Sequence, residues 1–179
     1  FCGMRDVPAL TPSCLSARLG CAQADVMVLF GGSILAGGDV LAEAMKSGYA
    51  SMMMPELIEK AAQQGYVPDC IVTATDVTRG RPYPDMLWKN LMQLGVADIK
   101  SVVKVDDTVV GIEEGLNAGC WTVGLAVSGN EVGMSYPEWQ NLSNEEQAAL
   151  KAKAYSKMQA GGAHYIIDTI TDLPAVLEQ

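Results

Sequence analysis

The run Val103-Lys-Val-Asp-Asp-Thr108 is an apolar strand that ends in two adjacent carboxylates, and the segment after it narrows the fold sharply. A short helical segment from Val109 stops at Gly119, and a second apolar strand, Trp121-Thr-Val-Gly-Leu-Ala-Val127, comes directly after it. Strand, helix and strand in close succession join as a crossover between parallel neighbours, since a parallel pair needs a connection long enough to return to its starting edge. Carboxylates at the C-terminal end of such a strand stand where open α/β sheets place their ligands. The chain has a single histidine and no C-x-x-C spacing, so Asp106 and Asp107 point first to a hard cation such as Mg²⁺.

The same alternation holds from about residue 47 onward. Met53–Gln64 reads as a helix with Leu57, Ile58, Ala61 and Ala62 on one face and Gly65 as its stop. Cys70–Thr73 reads as a short strand, and Pro84 sits in the first turn of a helix that runs to Leu94 and ends at Gly95. Ser101–Val105, Trp121–Val127 and Tyr165–Ile167 are the later strands, with helices over Val109–Ala118 and Asp172–Leu177. Ser135 with Glu138 and Ser143 with Glu146 have capping-box spacing, and the second box opens a helix that stops at Gly161-Gly162. This pattern predicts an α/β fold with a parallel sheet and flanking helices. Ahead of it, Ala24–Phe30 is a candidate strand trailed by two glycine pairs, and Leu41–Met45 is a weak helix. The shift near residue 45 predicts a divergent segment over 1–45 and a core over 46–179.

Composition bounds the partners. Charged residues make up 18% and apolar ones 49%, as in an ordinary globular domain. Twelve basic against twenty-one acidic residues give a net charge of −9, which argues against nucleic acid but not against a small phosphorylated ligand. Five cysteines without paired spacing read as free thiols in a reducing compartment. The uncharged stretch Val26–Gly38 is too short to span a bilayer and follows no basic leader region. The expected setting is cytoplasmic, with no membrane partner.

Four local features bear chemistry. Ser47-Gly48-Tyr49, just ahead of a helix, reads either as a turn or as a hydroxyl and backbone N–H groups that hold a phosphate oxygen. Arg79 and Arg81 lie in one loop before a helix, where a guanidinium either clamps an oxyanion or is simply solvated. Asp106 and Asp107 either bind a cation or cap the helix that begins at Val109. Ser128-Gly129-Asn130-Glu131 is most simply a turn. His164 opens a strand away from other metal-binding residues and reads as structural, and no Gly-x-Ser-x-Gly elbow supports a triad built on it. The methionines Met52, Met53 and Met54, at the start of a helix, read as packing rather than as a cofactor contact.

Taken in order, these strings resemble the phosphonoacetaldehyde hydrolases (phosphonatases) of the haloacid dehalogenase superfamily. The resemblance runs through Ser47-Gly48-Tyr49, Gln64-Gly-Tyr-Val-Pro-Asp69, Gly80-Arg-Pro-Tyr-Pro84, Val103-Lys-Val-Asp-Asp107, Glu114-Gly-Leu-Asn-Ala-Gly119, Trp121 to Glu131, and Gly162-Ala-His-Tyr165. It implies a Rossmann-like core with a helical cap, Mg²⁺ as cofactor, a homodimer, and hydrolysis of a small-molecule phosphonate to acetaldehyde and phosphate. It also implies a cap lysine that forms a Schiff base and a core aspartate that accepts the phosphoryl group. By the same resemblance Ser47 and Gly48 bind phosphate, Arg81 is the catalytic, phosphoryl-binding arginine, and Asp107 binds the metal. Asp106 stands where many members have glycine and is expected behind the metal ligand, one layer out from the metal. Gly111 stands where some members have another aspartate.

The front of the chain departs from that pattern. Val26-Met-Val-Leu-Phe30-Gly-Gly-Ser33 corresponds to the nucleophile strand, but Phe30 stands at the aspartate's place. Asp25 is at the wrong end of that strand, Asp39 lies beyond both glycine pairs, and no lysine precedes Lys46. The residues between Phe30 and Ser47 are too few for a helical cap, so the cap is expected to be missing. The expected function is phosphonoacetaldehyde hydrolysis by resemblance, with no turnover from the chain as it stands. A non-catalytic phosphate- and Mg²⁺-binding remnant and a cap-less phosphatase of the same superfamily are the alternatives.

Overall fold

A computed structural model describes the strand at residues 26–30, the helix at 54–63 and the continuous stretch 67–178. Ser47, Gly48, Leu41–Met45 and the glycine pairs after Phe30 lie outside the described residues. Four parallel strands form one sheet in the order β1 (Val26–Phe30), β2 (Val102–Asp106), β3 (Trp121–Leu125) and β4 (Tyr165–Ile167). Six helices accompany them among the described residues: α1 (Met54–Gln63), α2 (Asp85–Leu94), α3 (Val109–Ala118), α4 (Tyr136–Gln140), α5 (Asn144–Ala160) and α6 (Leu173–Leu177). The α/β fold with a parallel sheet and flanking helices is therefore present. Its first strand comes from ahead of the boundary expected near residue 45.

The crossover β2–α3–β3 forms for local reasons. The Thr108 side chain accepts from Gly111 N–H at 3.1 Å and caps α3, leaving neither Asp106 nor Asp107 as the cap. Gly119 at φ +90° ends the helix, and Gly95 at φ +71° ends α2 in the same left-handed conformation, which glycine adopts without a Cβ penalty. The helix lies very close on the sheet. A Cβ at Gly115 would stand 2.6 Å from Thr122 Cγ2 and 2.9 Å from Lys104 Cγ.

Alternation along β2 divides the interior. Val105 packs with Val123, Ile167, Ile170 and Leu173 on one side. Val102 packs with Leu87, Leu91, Ala118 and Cys120 on the other. Lys104 and Asp106 share Val102's parity and so face the α2–α3 side, where both are fully buried. Both expected capping boxes are made, with Ser135 N–H and Ser143 N–H each donating to a glutamate Oε2 at 2.8 Å.

Several boundaries move. Cys70–Thr73 is not a strand of this sheet. Thr73 N–H and Oγ1 both donate to Asp76 Oδ2 at 2.6 Å, and that local closure turns the chain into a short 3₁₀ segment, Ala74–Asp76. Pro84 is the residue ahead of α2 and not its first. β2 runs one residue later than expected, which makes Asp106 its last member. β3 ends at Leu125 and not Val127, because Val127 N–H and Ser128 N–H both turn to Asp168 O. A 3₁₀ segment, Ile170–Asp172, precedes α6.

Candidate functional site

Two carboxylates at the C-terminal edge of β2 have opposite surroundings. Asp106 is fully buried among partners. Its Oδ1 accepts from Thr108 N–H at 2.9 Å and Thr108 Oγ1 at 2.7 Å. Its Oδ2 lies 3.3 Å from Lys104 Nζ and 3.6 Å from Arg81 Nη1, at ion-pair range without hydrogen-bond geometry. Lys104 Nζ donates to Glu114 Oε2 at 2.6 Å, with both side chains fully buried. Among the described residues two cations and two anions thus meet in one buried group, and desolvation of that kind is tolerated only when the charges are matched.

Asp107 lies outside that balance. It is 6% exposed, and its Oδ2 accepts from Asn130 N–H at 3.1 Å. Its Oδ1 is buried with no partner among the described residues. Burial first, then the Asp106 carboxylate beside it, pushes the Asp107 carboxyl up to about 6, while the Asn130 N–H pulls the other way. The loop after β3 is pressed against it: a Cβ at Gly129 would stand 2.5 Å from Asp107 Cβ, so only glycine fits there. Ser128 Oγ, one residue earlier, is a second buried polar atom without a partner among the described residues. An unsatisfied, ionisable, hard oxygen at the ligand-binding edge fits a divalent cation such as Mg²⁺. Among the described residues no group of three histidine, cysteine, aspartate or glutamate side chains surrounds it.

The two arginines separate clearly. Arg79 makes a bidentate pair with Asp85 at 2.9 and 2.7 Å, lies over the Tyr83 ring, and is 52% exposed. Arg81 turns inward to Asp106 with its side chain 9% exposed. Asn117 Nδ2 donates to Pro82 O at 2.8 Å and ties the arginine loop to α3. The structure thus brings Arg81, Asp106 and Asp107 to one edge and keeps Arg79 out. Phe30 also reaches this edge by register, since it pairs with Asp106 across β1 and β2. His164 serves the fold: its Nδ1 lies 2.8 Å from Thr122 Oγ1, and its ring meets Trp121 edge-on.

Sequence reasoning assigns no role to Lys104 or Glu114 and reads the loop that holds Asn130 as a turn. A lysine inside Val102-Val-Lys-Val105 was the available signal, because a charge within a buried strand requires a partner. Asn130 contributes only its backbone N–H, which no side-chain pattern reveals.

No protein-family model matches the chain. A curated relative, the phosphonoacetaldehyde hydrolase of Hahella chejuensis, is 50% identical over 132 residues, covering 74% of this chain and 45% of that protein. A solved phosphonoacetaldehyde hydrolase like protein from Oleispira antarctica superposes with a TM-score of 0.71 at 48% identity, over 73% of this chain and 47% of that one. A haloacid dehalogenase-like protein of unknown function from Agrobacterium tumefaciens shares the fold, with a TM-score of 0.54 at 23% identity over 78% and 59% of the two chains. The chain spans about half the length of the curated relatives it matches. Over the part that they share, this chain is a relative of the phosphonoacetaldehyde hydrolases, and its fold is that of the haloacid dehalogenase-like protein.

Proposed function

We propose that this chain supplies the phosphoryl- and metal-binding side of phosphonoacetaldehyde hydrolysis, in which the C–P bond is broken and acetaldehyde and phosphate are formed. The observation that carries the reading is the buried Asp107 Oδ1, without a partner among the described residues, at the same sheet edge as the inward-turned Arg81 and its counter-ion Asp106. A phosphoryl group is the anion that uses both features, since it needs a cation and a forked donor at once. Mg²⁺ held at Asp107 would supply positive charge against the phosphoryl oxygens. Arg81 would orient those oxygens through its guanidinium, and Ser47 and Gly48 are proposed as the further phosphate contacts.

The reaction also requires an aspartate that takes the phosphoryl group and a lysine that makes the aldehyde carbon an electron sink. Phe30, opposite Asp106 in the sheet, has no oxygen with which to fill the first role. That observation favours binding without turnover for this polypeptide, and a cap-less phosphatase would need the same missing carboxylate. The homodimer is proposed from the resemblance alone. A cytoplasmic setting is supported by Cys70 and Cys120, both free thiols. No helix among the described residues is long and apolar enough to cross a membrane.

The test pairs acetaldehyde release, coupled to a dehydrogenase, with borohydride trapping and with calorimetric binding of methylphosphonate in Mg²⁺. Methylphosphonate should bind, while acetaldehyde release stays at background and no lysine adduct forms. Absence of methylphosphonate binding refutes the phosphoryl site. Turnover or a trapped adduct shows that the chain contains catalytic groups at positions other than those assigned.

A further inference from the structure

The Asp106 carboxylate is constrained from several directions at once. One oxygen is locked by Thr108, through its N–H at 2.9 Å and its hydroxyl at 2.7 Å. The other faces Lys104 Nζ at 3.3 Å and Arg81 Nη1 at 3.6 Å, and Lys104 is itself fixed by Glu114 at 2.6 Å. A Cβ built on Gly111 would fall 2.0 to 2.2 Å from Cγ and both oxygens of this carboxylate, so a side chain at position 111 and the present Asp106 rotamer exclude each other. A short, doubly hydrogen-bonded carboxylate on a strand cannot follow a moving guanidinium. Arginine, with four side-chain torsions, follows the carboxylate instead.

We propose that Asp106 is a positioning residue for the anion site: its locked carboxylate holds the Arg81 guanidinium ready for phosphoryl oxygens, and glycine at 111 leaves that carboxylate its place. The proposal rests on the reading of Arg81 as the phosphoryl clamp. Two effects of Asp106 oppose each other, repulsion of an incoming anion and prior ordering of the arginine. The charge of Asp106 is already matched within the group of Arg81, Lys104 and Glu114, which weakens the repulsion and leaves ordering as the larger effect. Ordering one long side chain ahead of binding corresponds to roughly a fivefold gain in affinity.

The experiment is a double-mutant cycle on the full chain, read by calorimetric titration with inorganic phosphate in Mg²⁺, with melting curves alongside. Arg81→Lys and Asp106→Asn should each weaken phosphate binding by roughly fivefold or more, and the double variant should bind no more weakly than the weaker single one. Gly111→Ala keeps every charge but displaces the carboxylate, so it should reproduce the Asp106→Asn loss; it also serves in the cycle if Asp106→Asn does not fold. Losses that multiply, or phosphate bound by Asp106→Asn as tightly as by the parent or more tightly, overturn the proposal and leave the Arg81 clamp standing. A parent that binds no phosphate, or an Arg81→Lys variant that binds it unchanged, overturns the clamp and the positioning role together.

Discussion

Replacing Asp107 by asparagine should stabilise the cation-free protein at neutral pH and abolish its response to Mg²⁺. The carboxyl, raised from 3.8 to about 6 by burial and by Asp106, bears an ionisation penalty of about 3 kcal/mol at pH 7. The amide introduced by Asp107→Asn would keep the acceptor for Asn130 N–H but put an N–H₂ where Oδ1 now lacks a partner, an opposing cost of about 1–3 kcal/mol. The net gain at pH 7 is therefore between about zero and 2 kcal/mol, or up to roughly 8 °C in melting temperature for a chain of this size. The sign with pH is the sharper result. The folded state holds its proton up to about 6, whereas the unfolded chain releases it near 3.8. The parent thus loses stability as pH rises through that window, and the penalty is absent below it. The variant's stability relative to the parent should consequently grow by about 3 kcal/mol between pH 3.5 and pH 7. Urea unfolding in EDTA across that range measures it. A constant difference, or one that shrinks as pH rises, refutes the assignment of Asp107 as a carboxylate raised by its burial.

Arg81→Lys should weaken inorganic phosphate binding several-fold by calorimetry, while Arg79→Lys, whose guanidinium is already committed to Asp85 at the surface, leaves it unchanged. Equal effects would make the pair an undifferentiated basic loop. Lys104→Met should lower stability by about 3–5 kcal/mol in urea unfolding, because it leaves Glu114 and Asp106 buried without the cation between them. A loss below about 1 kcal/mol would show that water reaches the pair.

What the sequence disclosed was mostly local. The β2–α3–β3 crossover is legible because each boundary has its own residue: the Thr108 cap, the Gly119 stop and the apolar runs on either side. The capping boxes at Ser135 and Ser143 are legible for the same reason. Cys70–Thr73 misled because four apolar residues do not specify a pairing partner, and the Thr73–Asp76 closure acted first. At the site, residue chemistry alone left Arg79 and Arg81 equivalent; only family resemblance preferred Arg81. The difference is a tertiary fact, the choice between Asp85 outside and Asp106 inside. The ion pair of Lys104 with Glu114 spans strand and helix and has no local signature beyond a charge in an apolar strand. The partners of Asp106 behind Asp107, namely Thr108, Lys104 and Arg81, likewise come from three different elements.

The most direct test is the coupling between metal and anion. If Asp107 holds Mg²⁺ beside the Arg81 clamp, the two ligands share one field, and each must tighten the other by the same factor. Calorimetry should show phosphate binding several-fold tighter with saturating Mg²⁺ than in EDTA, and Mg²⁺ tighter by that same factor with saturating phosphate. In Asp107→Asn the enhancement should vanish while Mg²⁺-free phosphate binding persists through Arg81. Phosphate affinity that is indifferent to Mg²⁺ in the parent, or an enhancement that survives in Asp107→Asn, would contradict a metal held at Asp107 beside the arginine.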